Sequence, residues 1–246
     1  MIYEGVKRLA KRIVPIRFLI KYEVIIRKCL YLFYRGGKYQ CNICNHNLRK
    51  FIRLRNNDLI CPVCGSLSRN RRLWSILSAT YLMTGISVLD FSPSRSIYRK
   101  LKQYPEIDYV PTDYAGEFIA DQHYDITRLS IPDHSFDLII CYHILEHIED
   151  DRKAMNELYR ILKTGGVCLI QTPFREGEIY EDNTIKNPEE RLKHFGQHDH
   201  VRIYSVEGLT KRLTRAGFSV SVKEFHERTD NLNGFQQHEI LLSANK

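Results

Sequence analysis

Between Ser135 and Thr172 the spacing of apolar and polar positions predicts a strand, a helix and a second strand. Phe136 to Cys141 is a nearly continuous apolar run, as expected of a parallel strand buried on both faces. Asp150 or Asp151 can cap a helix in which Ala154, Leu158, Ile161 and Leu162 recur at helical spacing and Lys163 sits near the C-terminus. Gly165-Gly166 is expected to end that helix, and Val167 to Gln171 resumes a strand. This βαβ unit implies a doubly wound α/β sheet, with ligands at the carboxyl ends of its strands.

The same rhythms predict a helix over Ser68 to Leu82, a strand over Ile86 to Phe91 and a helix over about Ser94 to Tyr104. Strands come next at Ile107 to Asp113 and Phe118 to His123, and a helix at Ser205 to Ala216, capped by Ser205 and ended by Gly217. Thr172 to Tyr204 is a long polar insertion, and a segment of that length outside the core elements reads as a functional lid. It carries Glu181, Asp182, His194, Gln197, His198, Asp199, His200 and Arg202, groups that handle protons and hydroxyls.

Residues 3 to 34 mix Leu9, Ile13, Ile16, Leu19, Ile20, Val24, Ile25, Leu30, Leu32 and Phe33 with lysines and arginines, and Pro15 splits them into two helices. An interfacial anchor on anionic lipid and an arm packed on protein fit this pattern equally. Charge sharpens the picture: the whole chain has a net charge of +8, but residues 1–72 carry 17 Lys or Arg against 3 acids. Such a segment points to phosphate-rich partners, either anionic lipid or nucleic acid. With 246 residues, 43% of them hydrophobic and 27% charged, the chain suits one sizeable core and a small accessory module rather than disorder. Charged residues interrupt every N-terminal apolar run before the roughly 20 residues of a spanning helix, so no signal peptide is read and a cytoplasmic protein is expected.

Cys41-x-x-Cys44 and Cys61-x-x-Cys64-Gly65, separated by 16 residues, supply four thiolates for a tetrahedral Zn²⁺. Four protein ligands leave no open position, so the zinc is expected to be structural, and His46 has no vacancy to fill. Arg49, Lys50, Arg53, Arg55, Arg69, Arg71 and Arg72 surround these knuckles, as a grip on RNA phosphates or as a solvated surface. The stacking platform of a single-stranded RNA binder is not visible, since only Tyr39, Phe51 and Trp74 are interleaved.

The phrases "SFDLIICYHILEHI", "ELYRILKTGG" and "TP" resemble the fourth and fifth strands of class I S-adenosylmethionine-dependent methyltransferases of the small-molecule type, over about Ser87 to the C-terminus. The resemblance implies a Rossmann-like seven-stranded sheet, closed by strands at Phe218 to Glu224 and Gln237 to Ser243. The implied layout is a basic amphipathic arm (1–37), a zinc ribbon (38–68) and a methyltransferase domain (69–246) with its lid at about 173–204. In this family a glycine-rich loop comes after the first strand, whereas here the loop Asp90-Phe91-Ser92-Pro93-Ser94-Arg95-Ser96 has no glycine. By position in the family, Asp90, Phe91, Ser92 and Pro93 would meet the cofactor and Asp113 its ribose. Asp125 and Ile126 would meet the adenine, and Cys141 and Tyr142 the methionine end.

His143-x-x-Glu146-His147 is similar to the Glu-x-x-Glu-His that certain ubiquinone-pathway O-methyltransferases use for a divalent ion. The resemblance adds a catalytic divalent metal as a further cofactor expectation; the alternative is that these side chains simply hold the loop. The lid, with its "ED" and "FGQ-DHVR" phrases, resembles that of a bacterial group that pairs this ribbon with a methyltransferase and accompanies surface-polysaccharide and other glycan biosynthesis. The expected reaction is O-methylation of a sugar or glycan precursor, lipid-linked and met at the inner face of the membrane in one version. His200 is the first choice of base, with His198 and His143 behind it and Asp182 orienting the base or a sugar hydroxyl. An rRNA or tRNA methyltransferase gripping RNA through the basic ribbon is the alternative, and a scaffold that has lost the cofactor is a third reading.

Overall fold

The protein is described from a computed structural model over residues 16–227 and 230–246. Chain contacts divide it into two compact units: Met1–Tyr81 with Ser94–Gln103 and His226–Glu239, and Leu82–Pro93 with Tyr104–Phe225 and Ile240–Lys246. The ribbon unit therefore takes in two later segments that read, from the sequence, as parts of the methyltransferase domain.

In the ribbon unit, helix α1 (Ile16–Tyr34) begins directly after Pro15, and the expected first helix of the arm lies outside the described residues. α1 buries Arg27 and exposes Ile25, Ile26, Leu32 and Phe33. Strands β1 (Arg35–Gln40) and β2 (Asn47–Leu48) pair antiparallel around the first knuckle, and β3 (Ile52–Arg53) pairs with β4 (Leu59–Ile60) ahead of the second. Helix α2 (Ser68–Ile76) is next and ends in a π-helical turn, Leu77–Tyr81, within the span expected for one helix. The Arg71 guanidinium is fully buried and donates to the carbonyls of Ser66, Leu59, Asn233 and Gly234, tying the ribbon to the 231–234 loop.

The second unit is built on a six-stranded sheet. Its strands are β5 (Ser87–Phe91), β6 (Asp108–Thr112), β7 (Phe136–Tyr142), β8 (Leu162–Gln171), β11 (Ser219–His226) and β12 (His238–Asn245), in the order β11-β12-β8-β7-β5-β6. β6, β5, β7 and β8 run parallel, and β12 returns antiparallel to β8. Helix α3 (Arg95–Leu101), capped by Ser94, separates β5 from β6 in the chain. Helix α4 (Asp151–Ile161) starts where the Asp150 side chain accepts from the Lys153 N–H, and it buries Ala154, Met155, Leu158 and Ile161. Those side chains join Leu89, Phe91, Ile139, Cys141, Cys168 and Ile170 in one core, completed by Leu209 and Leu213 of helix α6 (Val206–Arg215). Ser205 caps α6 as expected, its hydroxyl accepting from the Gly208 N–H.

Two elements differ from expectation. The strand expected over Phe118 to His123 is a single bridge, Thr112 to Gln122, because residues 114–118 and 121–123 are exposed and offer the sheet no apolar face. α4 ends at Ile161, before Gly165-Gly166: Leu162 already has extended backbone and pairs with Phe136, and the glycines lie inside β8, where Gly165 has φ 78°.

The segment expected to form a lid is a folded structure. β9 (Tyr180–Glu181) pairs antiparallel with β10 (Arg202–Ile203), and helix α5 (Pro188–Phe195) lies between them, capped by Asn187 and ended by left-handed Gly196. Its base is an ion-pair cluster: Arg202 and Arg212 both reach Asp151 and Glu181, and the Tyr204 hydroxyl donates to Asp151 at 2.6 Å.

Candidate active site

The carboxyl ends of β5 and β6 carry the groups expected to hold the cofactor. Asp90, 2% exposed, accepts from the Tyr109 hydroxyl at 2.9 Å. Burial pushes its carboxyl up to about 7, against the lowering effect of that hydrogen bond. Ser92 adopts φ 46°, the left-handed conformation a glycine would take without cost. It is pinned there by its N–H to the Thr112 carbonyl and by its hydroxyl to Asp113 Oδ1, both at 2.7 Å. In this glycine-free loop a serine thus holds a backbone conformation that ordinarily favours glycine.

Asp113 is buried at the tip of β6, and its Oδ2 accepts from the N–H groups of Glu117 and Phe118 at 2.7 and 3.2 Å. With Ser92 this uses three of about four acceptor positions on a carboxylate, so a ribose diol would have to displace some of these partners. Asp125 is exposed and accepts from the Thr127 N–H and hydroxyl, with the neighbouring Ile126 buried in the core. Phe91 and Cys141 are also core side chains, whereas Pro93 and Tyr142 lie at the strand ends. A buried strand-tip carboxylate beside a tight left-handed turn fits an adenosyl cofactor.

At the ends of β7 and β8 the chain assembles a second group. His143, at φ 56°, lies in the left-handed region, its N–H donating to the Gln171 carbonyl at 2.7 Å. Its Nδ1 meets Glu146 Oε1 at 3.1 Å. Burial alone would raise the Glu146 carboxyl, but the hydrogen bond and charge of His143 outweigh it and hold it below the usual carboxylate range. His147 Nδ1 lies 3.1 Å from the Asp199 carboxylate. From the lid, His200 packs edge-on against His147 with ring centroids 4.6 Å apart, and its Nδ1 lies 3.2 Å from the Phe195 carbonyl. The lid backbone joins in as Val201 N–H donates to the Glu146 carbonyl.

Burial, with the His147 charge beside it, holds the His200 imidazole below its usual range, so at neutral pH it is uncharged. The carbonyl of Phe195 then fixes the proton on Nδ1 and leaves a lone pair on Nε2. Five buried side-chain atoms here have no hydrogen-bond partner among the described residues: His143 Nε2, Glu146 Oε2, Gln171 Oε1, Thr172 Oγ1 and His200 Nε2. Orphaned polar atoms in this number are costly in a folded chain unless water or a ligand completes their bonding, which makes this cluster the candidate acceptor site.

Of the four expected catalytic residues, His200 and His143 meet in this cluster. His198 instead turns Nδ1 to the Pro188 carbonyl at an exposed position, and Asp182 is an exposed turn residue accepting from the Thr184 N–H and hydroxyl. Neither contact leads to the cluster, because each side chain closes a local turn of the lid. Gln171 and Thr172 were not singled out by the sequence, since nothing in "QTP" separates a buried orphaned group from an ordinary strand end.

In the ribbon, the four cysteine Sγ atoms lie within 4.8 Å of one another, with Cys41 to Cys64 at 3.6 Å and Cys44 to Cys61 at 3.8 Å. Ligands about 2.3 Å from a tetrahedral zinc lie about 3.8 Å apart, so the cluster is compatible with Zn²⁺. The knuckles repeat one geometry: Asn45 and Gly65, each directly after the second cysteine of a pair, have φ 58° and 76° and donate to the carbonyls of Cys41 and Cys61. Hydrogen bonds from Cys44, Cys61 and Cys64 favour a thiolate at Cys41, and the buried Arg27 and Arg71 bring positive charge to the same turn. His46 is turned away, with Nδ1 2.8 Å from the Cys44 carbonyl.

This fold is that of the S-adenosylmethionine-dependent methyltransferases. Residues 68–221 match the methyltransferase domain family, and the chain belongs to it. A probable S-adenosylmethionine-dependent methyltransferase of Mycolicibacterium smegmatis is 31% identical over 99 residues, 40% of this chain and 35% of that protein. A tRNA N(3)-cytidine methyltransferase of Danio rerio is 29% identical over 45% of this chain and 34% of its own length. The chain thus spans about a third of the length of these relatives. Among solved structures, a SAM-dependent methyltransferase from Archaeoglobus fulgidus superposes with a TM-score of 0.52 at 16% identity, over 73% of this chain and 95% of that one.

Proposed function

We propose that the protein methylates a hydroxyl group of a sugar or glycan precursor, using S-adenosylmethionine. The observation that carries this reading is the set of buried, unpartnered polar atoms at the ends of β7 and β8, which includes the lone pair of a neutral imidazole. A hydroxyl acceptor needs a proton acceptor within hydrogen-bond reach, and His200 Nε2 is such a group. The bound cofactor supplies a methyl group already activated on a sulfonium. Asp113, Ser92 and Asp90 hold its adenosyl and methionine parts, with Asp125 and Ile126 toward the base. Thr172 and Gln171 position the acceptor, and His200 Nε2 receives its proton as the oxygen is methylated, while the Phe195 carbonyl keeps the imidazole oriented. The folded lid would limit the access of bulk water, and transfer would need the acceptor oxygen about 3 to 3.5 Å from the methyl carbon.

The glycan class is supported by the likeness of the lid to those of ribbon-bearing methyltransferases of glycan pathways, and by its density of groups that pair with sugar hydroxyls. The exposed Ile25, Ile26, Leu32 and Phe33, next to the exposed Lys28 and Arg35, suit an anionic lipid surface and hence a lipid-linked acceptor. No helix among the described residues is long and apolar enough to cross a membrane. The exposed Arg49, Lys50, Arg53 and Arg55 of the ribbon favour one competing acceptor, RNA, whose binding would weaken steeply with salt. The zinc is proposed to be structural, since four thiolates fill its coordination.

Replacing His200 by Ala tests the assignment. Turnover of a hydroxyl acceptor is expected to fall at least 100-fold with unchanged cofactor affinity, the scale of a lost general base. An unchanged rate would remove His200 from the chemistry.

A further inference from the structure

We infer that Glu146, His147 and His200 form a binding site for a divalent transition-metal ion, distinct from the four-cysteine site and placed where the acceptor hydroxyl is activated. Each residue offers one ligand atom, and the three atoms lie within 4.8 Å of one another. Two ligands come from the turn after β7, and the third is brought by the lid.

The surroundings are those of a built site. Glu146 and His200 are 1% and 3% exposed, and Glu146 Oε2 and His200 Nε2 have no partner among the described residues. Every ligand is also held from behind. The Phe195 carbonyl takes His200 Nδ1, the Asp199 carboxylate takes His147 Nδ1, and His143 takes the other oxygen of Glu146. A carbonyl or carboxylate on the outer nitrogen is how metal-binding histidines are fixed in tautomer and orientation, leaving Nε2 as the ligand. Three hydrogen-bonded side chains without an ion would leave two buried lone-pair groups facing each other uncompensated, which a cation resolves.

Two imidazoles and one carboxylate suit a first-row divalent ion such as Zn²⁺, Fe²⁺ or Co²⁺, and three protein ligands leave positions open for substrate. The role of the ion, though not its binding, rests on the O-methylation proposed above. An acceptor hydroxyl bound to the ion would pass its proton to a water molecule at the ion's remaining open position, so that His200 Nε2 holds the ion and does not itself receive the proton. Its oxygen then forms the bond to the methyl carbon as the carbon–sulfur bond breaks, the electron pair leaving on sulfur. In this form His200, carried by the folded lid, acts as a ligand of the ion and replaces the direct proton acceptor of the metal-free reading.

The test is metal stoichiometry on the full chain. Protein reconstituted with a single equivalent of Zn²⁺, which the four thiolates take first, is titrated with Co²⁺, which does not displace zinc from thiolates, then desalted and assayed by elemental analysis. One cobalt per chain beside one zinc is expected, falling to none in Glu146→Gln and in His147→Gln, the more exposed ligand and so the variant safer for folding. Cobalt absent from the wild type, or retained equally by both variants, would overturn the site. Should cobalt be absent while His200→Ala still abolishes turnover with cofactor affinity intact, the metal fails and the hydroxyl-methylating reading stands. Cobalt bound as expected by a chain that methylates no hydroxyl would leave the site and overturn the role.

Discussion

Asp90→Asn is expected to make the protein more stable above neutral pH and to leave it nearly unchanged in acid. Asp90 lies at the tip of β5, almost wholly buried, with the Tyr109 hydroxyl donating to it. Burial lifts its folded-state pKa from 3.8 to about 7, so between these values the native chain binds a proton that the unfolded chain does not. Stability then falls with rising pH, since the native state is the one that holds more protons. The Asp90 contribution is complete below about pH 4, declines by about 1.4 kcal/mol per pH unit, and is gone above about pH 7. The whole span is worth about 4 kcal/mol. Asparagine keeps an oxygen for Tyr109 and never ionises, so the difference between variant and wild type should grow from under about 1 kcal/mol at pH 4 to about 4 at pH 8. Burial also raises the Glu239 carboxyl to about 7, but Glu239 titrates in both proteins and cancels in that difference. Urea denaturation followed by far-UV circular dichroism at several pH values measures it, while the fluorescence of Trp74, the only tryptophan, reports on the ribbon unit. A stability difference that stays flat from pH 4 to pH 8 would refute the buried, proton-holding carboxyl.

Other perturbations read other parts of the structure. Arg202→Met removes a buried guanidinium that donates to the carbonyls of Leu145, Ile148 and Glu149 and pairs with Glu181, and should cost about 3–5 kcal/mol in chemical denaturation; a loss under about 1 kcal/mol would mean that the lid base is held by something else. Cys61→Ser should lower bound zinc by one equivalent and shift Trp74 emission to the red as the ribbon unit loosens, and unchanged zinc content would exclude the four-cysteine site. Ser92→Gly should be near neutral, because relief of the left-handed backbone offsets the lost bond to Asp113, whereas Ser92→Val should cost about 1–3 kcal/mol in thermal melts. Equal stability of the two would place no demand on that turn.

Much of this structure was legible in the chain. The βαβ unit, the caps at Asp150 and Ser205 and the two knuckles come from local rules, in which spacing and a capping side chain suffice. The strand expected at Phe118 to His123 was misjudged because its apolar residues are too sparse to bury, leaving only the bridge at Gln122. The helix end was misplaced because Leu162 pairs with β7, a tertiary contact that overrides the glycine signal. In the site, residue types located His143 and His200, but only the folded lid separates His200, carried beside Glu146 and His147, from the exposed His198 two residues earlier. The glycine-free loop departs from the family's pattern, and nothing in the sequence signalled that Ser92 would be held by hydrogen bonds at a backbone angle that ordinarily favours glycine.

Calorimetric titration of the full chain with S-adenosylmethionine decides most directly whether the ends of β5 and β6 hold a cofactor. One molecule should bind per chain, and Asp113→Asn should weaken it about tenfold or more, as loss of a charged hydrogen bond of about 1.5–3 kcal/mol requires. No heat at millimolar ligand would leave a methyltransferase fold with a four-cysteine cluster and no methyl donor, and equal affinity in the variant would remove Asp113 from the cofactor site.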